Sequence, residues 1–324
     1  MQFNIKKAIV NFKKADFNSI MVYVVFVIVL GIFAIWLGGT FFSAANMLSI
    51  TRQAGATAVM AVGMVFIIGL GHIDLSIGSI VALSAQIIAL ILRSTDNIFL
   101  ALLGGLGMGL VVGLVNGLAV TQVKIPAFLA TLGTSSIIRG IAMWTTNTKA
   151  VPIANGTYNF FFGAGAVGPI PVLLLWTIAA LIIGYFVLSC TAFGKQVLAS
   201  GGNYTAAKYS GVKVIKVTMI VFIMMGVISA LAGGLYAGRM QTARWSYGQG
   251  VEMDVIAAVV LGGTRMSGGN GSIVGAIVGA LLINMINNGL IIGGFEVAQQ
   301  TIMKGVIILL AVALGNVGRN RRHD

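Results

Sequence analysis

A carboxylate and two hydroxyls lie between glycines in the run Gly71-His72-Ile73-Asp74-Leu75-Ser76-Ile77-Gly78-Ser79, with apolar sequence on both sides. In a bilayer a carboxylate at mid-helix costs about 2.5 to 3.5 kcal/mol even on insertion scales, so it persists where it faces a cavity, a partner or a solute path. Flanking glycines let a helix break, and a broken helix frees backbone N–H and C=O groups that must be satisfied within the protein or around a cavity. The pattern therefore suits the handling of a polar group inside an apolar slab, with Asp74, Ser76, Gly78 and Ser79 as candidate pathway residues. Asn284, Asn287 and Asn288 share one helix face by their three- and four-residue spacing. Of these, Asn284 and Asn288 are candidates to line a path, although hydrogen bonding between helices, at about 0.6 kcal/mol each, is the ordinary use of such amides. Asn116, Thr131 and Thr134 are read in that ordinary way.

Other chemistries are poorly served. Two histidines, one cysteine and seven acidic residues make neither a metal set nor a nucleophile with its base. The stretch Leu261 to Ser272 is rich in glycine but lacks the lysine and Ser/Thr of a phosphate loop, and reads as a sharp turn between membrane helices. No cofactor site follows within this chain. Cys190, the only cysteine, has no partner for an internal disulfide and is read as a packed thiol near a helix end.

The elements that must position these residues follow from composition. Hydrophobic residues make up 58% of the 324 and charged residues 8%, against about 25% charged in soluble domains. The apolar runs are continuous instead of alternating, which disfavours a barrel. The 44 glycines against 4 prolines fit closely approaching membrane helices. The expected fold is all-α, a polytopic integral membrane bundle in one domain, 1–324. Spans are placed at 20–38, 48–69, 76–92, 98–120, 126–146, 170–190, 217–237, 251–264, 271–292 and 297–315, about ten helices. The segment 251–264 is short and opens with Glu252 and Asp254, so a broken or re-entrant element is its alternative. Glu252, Asp254 and Glu296 are expected near interfaces, and Lys304 to snorkel or pair. The lysine-rich start ahead of Ile20 to Leu37 lacks a small-residue cleavage site and reads as an uncleaved first helix.

The net charge of +13 sits in short loops and at both ends, so it signals orientation in a membrane instead of nucleic-acid binding. With the N-terminus inside, thirteen Lys/Arg fall on inner segments and four on outer loops, Arg93, Lys149, Arg239 and Arg244, the positive-inside pattern. Residues 147–169 form the largest outer loop, placed either on the membrane surface or against an external partner. Residues 191–216 form the largest inner loop, with four lysines and no acid. Within it Asn203 is a helix N-cap, 204–209 make one to two turns, and Gly211 suits the left-handed residue that follows. Two readings of this loop are open: a basic turn held by lipid phosphates, or a docking helix for a cytosolic partner. Gly78-Ser79-Ile80-Val81 recurs as Gly271-Ser272-Ile273-Val274 and is read as chance.

Four motifs in order carry a resemblance: GHIDLSIGS, KIPAFLATLGT at Lys124 to Thr134, GGNYTAAKYSG at Gly201 to Gly211, and VEMDVIAAVVLGGTRMSGGNGS at Val251 to Ser272. Together they resemble the permease subunit of ribose-type carbohydrate ABC importers and cover most of the chain. The resemblance implies a membrane subunit that pairs with a second copy or a paralogue and takes sugar from an extracytoplasmic binding protein. A separate cytosolic ATPase, which binds the ATP and Mg²⁺, would drive it. It assigns ATPase coupling to Gly202, Asn203, Ala206, Ala207 and Gly211, and the central pathway to Asp74, Ser76, Gly78 and Ser79. The sequence departs at His72, where relatives often have glycine; packing at a helix break and an influence on substrate choice are both open. An ion-coupled secondary transporter is the alternative, with Asp74 as the intramembrane acid. The expected location is the bacterial inner membrane with both termini cytosolic. A reporter fused after Asp324 should then behave as internal, whereas a periplasmic signal would mean nine crossings, with 251–264 not spanning.

Overall fold

The computed structural model describes residues 17–306. Helices account for most of it: α1 (Phe17–Phe41), α2 (Ala44–Gly69), α3 (Ile77–Thr95), α4 (Ile98–Thr121), α5 (Ala127–Thr145), the single turn α6 (Gly156–Asn159), α7 (Val172–Tyr185, prolonged by a wide turn over Phe186–Cys190), α8 (Ala192–Gly202), α9 (Tyr204–Tyr209), α10 (Val214–Met240), α11 (Val251–Leu261), α12 (Ile273–Ile292) and α13 (297–306). Four two-residue strands form two ribbons: β1 (Val151–Pro152) with β4 (Thr242–Ala243), and β2 (Ala166–Val167) with β3 (Ile170–Pro171). Among the described residues eight helices are long and apolar enough to cross a membrane. These match eight of the predicted spans, and α13 is the start of the tenth. Residues 307–315 of that span, and the terminal charge clusters, lie outside the described residues.

α2 is the central post. Every residue from Ala54 to Gly69 is buried, as expected of a helix that is apolar and small on all sides, and α7, α10 and α12 pack around it. α4 and α10 approach through glycine: a Cβ on Gly109 or Gly226 would strike the other's backbone, and one on Gly113 would strike Phe222 and Ile223. In lipid, close approach of this kind replaces the hydrophobic drive that helices lack there.

The two ends of the bundle are distinct. At one, Ile153 N–H donates to Gln241 O at 3.0 Å, β1 pairs with β4, and Asn155 Nδ2 donates to Asp96 Oδ1 at 2.8 Å. Residues 147–169 lie at this end and plug into it: the Tyr158 side chain is fully buried, donates to Gly234 O at 2.8 Å and stacks on Phe162. Part of this loop is thus packed into the bundle itself, a third placement beside the membrane surface and an external partner, although Phe161 stays exposed. At the other end the turn 262–272 meets the α2 and α8 termini, with Gly269 N–H donating to Gly69 O at 2.9 Å.

The eighth predicted span, 251–264, is not a spanning helix. From β4 at the first end the chain runs as a non-helical segment, 244–250, into the interior, and continues as the eleven-residue α11 to the second end. A strand, a loop and a half-helix together thus run from one end of the bundle to the other, a route that length alone does not reveal. The non-helical stretch reaches α3: the backbones of Gly78 and Gly248 touch, and a methyl group on either would overlap the other's carbonyl. Gly248 also adopts φ +71°, where a side chain is strained. Gly78→Ala should therefore destabilise by about 1 to 3 kcal/mol through overpacking, seen as a lower thermal aggregation midpoint in detergent. Gly107→Ala, which meets open space, should leave the midpoint unchanged. Equal midpoints for the two variants would mean that the broken segments do not touch.

Candidate functional site: two broken segments that meet in the bundle

The first break runs from Leu70 to Ser76. The α2 terminus closes with Gly71 N–H on Ile68 O and His72 N–H on Ile67 O, and the chain then extends until α3 begins. Asp74, 1% exposed, holds this extended stretch: its Oδ1 accepts from Ser76 N–H at 2.8 Å and from the Ser76 hydroxyl at 2.6 Å. Asn116 Nδ2 donates to Ser76 Oγ at 2.9 Å, and Ser79 Oγ donates to Ser76 O at 2.7 Å. Leu75 N–H donates to Thr131 Oγ1 at 3.0 Å. Asp74 and Ser79 at the start of α3 and Thr131 on α5 thus serve the freed backbone, and Asn116 on α4 fixes the Ser76 hydroxyl. Asn116 and Thr131, read from sequence as ordinary interhelical donors, serve the break itself.

The second break, 244–250, is held by a residue that the sequence left unassigned. Arg139 on α5 donates from Nη1 to Trp245 O at 2.5 Å and to Tyr247 O at 2.7 Å, and it feels the charge of Glu252 on the first turn of α11. Only its isolation inside an apolar span could have flagged it. Glu252 borders Gly78, and Asp254 pairs with Lys304 on α13 at 2.8 Å. Both acids therefore lie inside the bundle, not near an interface as expected, because α11 starts partway through. The expected pairing of Lys304 is present.

The asparagines on α12 are placed differently. Asn284 spends its amide on its own helix, donating to Ala280 O at 2.8 Å. Asn288 is buried and Asn284 half-buried, and among the described residues no hydrogen bond joins either to the Asp74 cluster. Cys190 is exposed, which corrects the expectation of a packed thiol: it ends a wide helical turn at the rim of the bundle.

At the second end of the bundle, α9 has the caps expected of it. Asn203 Oδ1 accepts from Ala206 N–H at 2.9 Å, and Gly211 follows the helix at φ +86°. Gly202 and Asn203 are exposed, as are Tyr204, Thr205, Ala206, Lys208 and Tyr209, whereas Ala207 turns inward at 5% exposure. Ala207 thus anchors the helix, and Ala206 belongs to its outer face. A cavity of about 510 Å³ opens beside α9, lined among others by His72, Lys124, Asn203, Tyr204, Thr218 and Ser267. His72 packs against Phe222, with ring centroids 5.9 Å apart, and burial holds its imidazole below the ordinary histidine value. The ring thus packs at the helix break and also faces the cavity.

A glycine-packed helical bundle whose two helix breaks meet in its interior defines a multi-pass membrane transport protein. A family described as the branched-chain amino acid transport system / permease component matches residues 46–312. The ribose import permease protein RbsC of Bacillus subtilis (strain 168) is 38% identical over 279 residues, 86% of this chain and 87% of that protein. RbsC of Escherichia coli (strain K12) is 37% identical over 86% of this chain and 88% of its own length. The D-allose transport system permease protein AlsC of Escherichia coli (strain K12) is 36% identical over 85% and 84%. No solved structure matches the chain. The chain belongs to this permease family and, within it, to the ribose-type ABC permeases.

The acceptor geometry at Asp74 separates two roles for the carboxylate. Asp74→Asn keeps an oxygen for the two Ser76 donors and should melt close to the parent in detergent. Asp74→Leu leaves both donors unsatisfied, at about 1 to 3 kcal/mol, and should melt lower with reduced folded yield. Equal loss in both would show that the charge, not the acceptor, matters.

Proposed function

We propose that this chain is the membrane-spanning subunit of an ATP-driven importer and translocates a sugar or sugar-like solute. An extracytoplasmic binding protein delivers the solute, and a separate cytosolic ATPase supplies ATP and Mg²⁺. The observation that carries this reading is the near full-length likeness to permeases named for ribose and D-allose. The α9 geometry supports it: a short, doubly capped helix with an exposed outer face, seated on backbone at one end of the bundle, is a compact docking element. Gly202, Asn203, Ala206 and Gly211 then form the coupling element, with Ala207 as its anchor. The α9 end is cytosolic in this reading, as the thirteen-to-four charge asymmetry requires, and both termini lie on that side. A second copy or a paralogue completes the pathway.

Asp74, Ser76, Gly78 and Ser79 order the helix break beside the path, and Asn284 and Asn288 remain candidates for its lining on α12. The chain performs no bond chemistry in this scheme; its work is to open and close. The family relationship favours the importer over the ion-coupled alternative, and the engagement of Asp74 by Ser76 is in keeping with that.

Ala206→Arg puts a bulky charge on the outer face of α9 without touching its caps. It should cut ATPase copurification from detergent about tenfold, a loss near 1.4 kcal/mol, and abolish labelled-sugar uptake at unchanged permease level. Unchanged copurification together with unchanged uptake would remove α9 from the mechanism. Uptake that collapses with an ionophore while ATP persists would overturn the importer reading itself.

A further inference from the structure

We infer that Arg139 is the positioning residue of transport: it holds the re-entrant segment 244–250 against α3, and solute passage depends on that hold. An arginine inside an apolar span is costly and is kept where it meets partners within the bundle. Here one guanidinium nitrogen serves two backbone carbonyls, those of Trp245 and Tyr247, at 2.5 and 2.7 Å. Both carbonyls belong to the only non-helical stretch between β4 and α11, where they have no helical partner. The next residue, Gly248, is the one that touches Gly78. Arg139 thus fixes the depth at which the second break meets the first.

The neighbouring charges fit this role. Glu252, on the first turn of α11, borders Gly78 of α3. Also in the first turn of α11, but turned to another side, Asp254 is tied to Lys304 at 2.8 Å. The segment leading into α11 is therefore held by a cation on α5, and the first turn of α11 by a cation on α13. The Tyr247 ring is buried against Tyr236, with centroids 5.0 Å apart, which leaves the backbone of this segment as the part that Arg139 controls. Because planar guanidinium and flexible ammonium differ in how they hold two acceptors, lysine should replace it only in part.

The test uses the single cysteine of the chain. In a Cys190→Ser background, Ser246→Cys places one thiol at a half-buried position of the segment, and its reaction with a polar maleimide is timed on the detergent-solubilised permease. Labelling should be slow with Arg139 intact, about tenfold faster in Arg139→Met, and intermediate in Arg139→Lys, since a lost pair of charge-assisted bonds is worth at least 1.4 kcal/mol or so. Uptake in cells, which alone rests on the proposed function, should fall about tenfold in Arg139→Met and partly recover in Arg139→Lys. If Arg139→Met does not accumulate, the lysine variant decides by the same two readouts. Labelling that is fast with Arg139 intact, or unchanged by its replacement, would overturn the inference. So would lost uptake at unchanged labelling, or full uptake at fast labelling.

Discussion

In hydrocarbon an unpaired backbone N–H or C=O costs several kcal/mol, so a helix can break only where protein side chains or a cavity take over its hydrogen bonds. This protein breaks the rule of continuous helices twice, and most of its interior arrangement answers to that. At the first break, Asp74 and Ser76 bond within the loop while Asn116 and Thr131 reach in from α4 and α5. At the second, Arg139 supplies two donors to two carbonyls. α5 serves both breaks, with Thr131 on one and Arg139, two turns further along, on the other. Its position is therefore set by polar requirement as much as by packing.

Glycine makes the arrangement possible at the point where the breaks meet. The first turn of α3 and the non-helical segment 244–250 touch at Gly78 and Gly248, where a Cβ on either would strike the other's carbonyl. The same device recurs where α4 crosses α10 and where the turn 262–272 meets α8, so the high glycine content serves tight backbone contact more than flexibility. Small residues give membrane helices the van der Waals contact that lipid cannot outcompete.

What could be read from sequence was what sequence makes local. The α9 helix was placed correctly, from Asn203 through Gly211, because its cap and its stop are carried by residues within one turn of it. The break at Asp74 was legible because a carboxylate between glycines is costly anywhere else in such a chain. The segment 251–264 resisted because its crossing is shared with residues 242–250, which carry no span signal, and its acids looked interfacial only if α11 began at a surface. Arg139 was invisible in role because its partners are backbone carbonyls more than a hundred positions away, which no side-chain pattern announces. Cys190 was misread for a simpler reason: a small apolar thiol suits a core and a lipid-facing rim equally well.

The first break is joined to the α9 end without an intervening flexible linker. A Cβ on Gly201, at the end of α8, would strike the carbonyl of Gly69, the last residue of α2, while Gly268 backs onto Gly201 and Gly71. α9 follows α8 after Asn203 alone, and Leu70 to Ser76 follow α2 directly. Close-packed backbone transmits displacement because it has no side-chain rotamers in which to absorb it. A shift of α9 must therefore move Gly201 and with it the start of the Asp74 loop, or else open the contact. On the proposed function, the docking element and the first break act as one mechanical unit, and the hydrogen bonds around Asp74 are what keep that unit from dissipating the movement into a disordered loop.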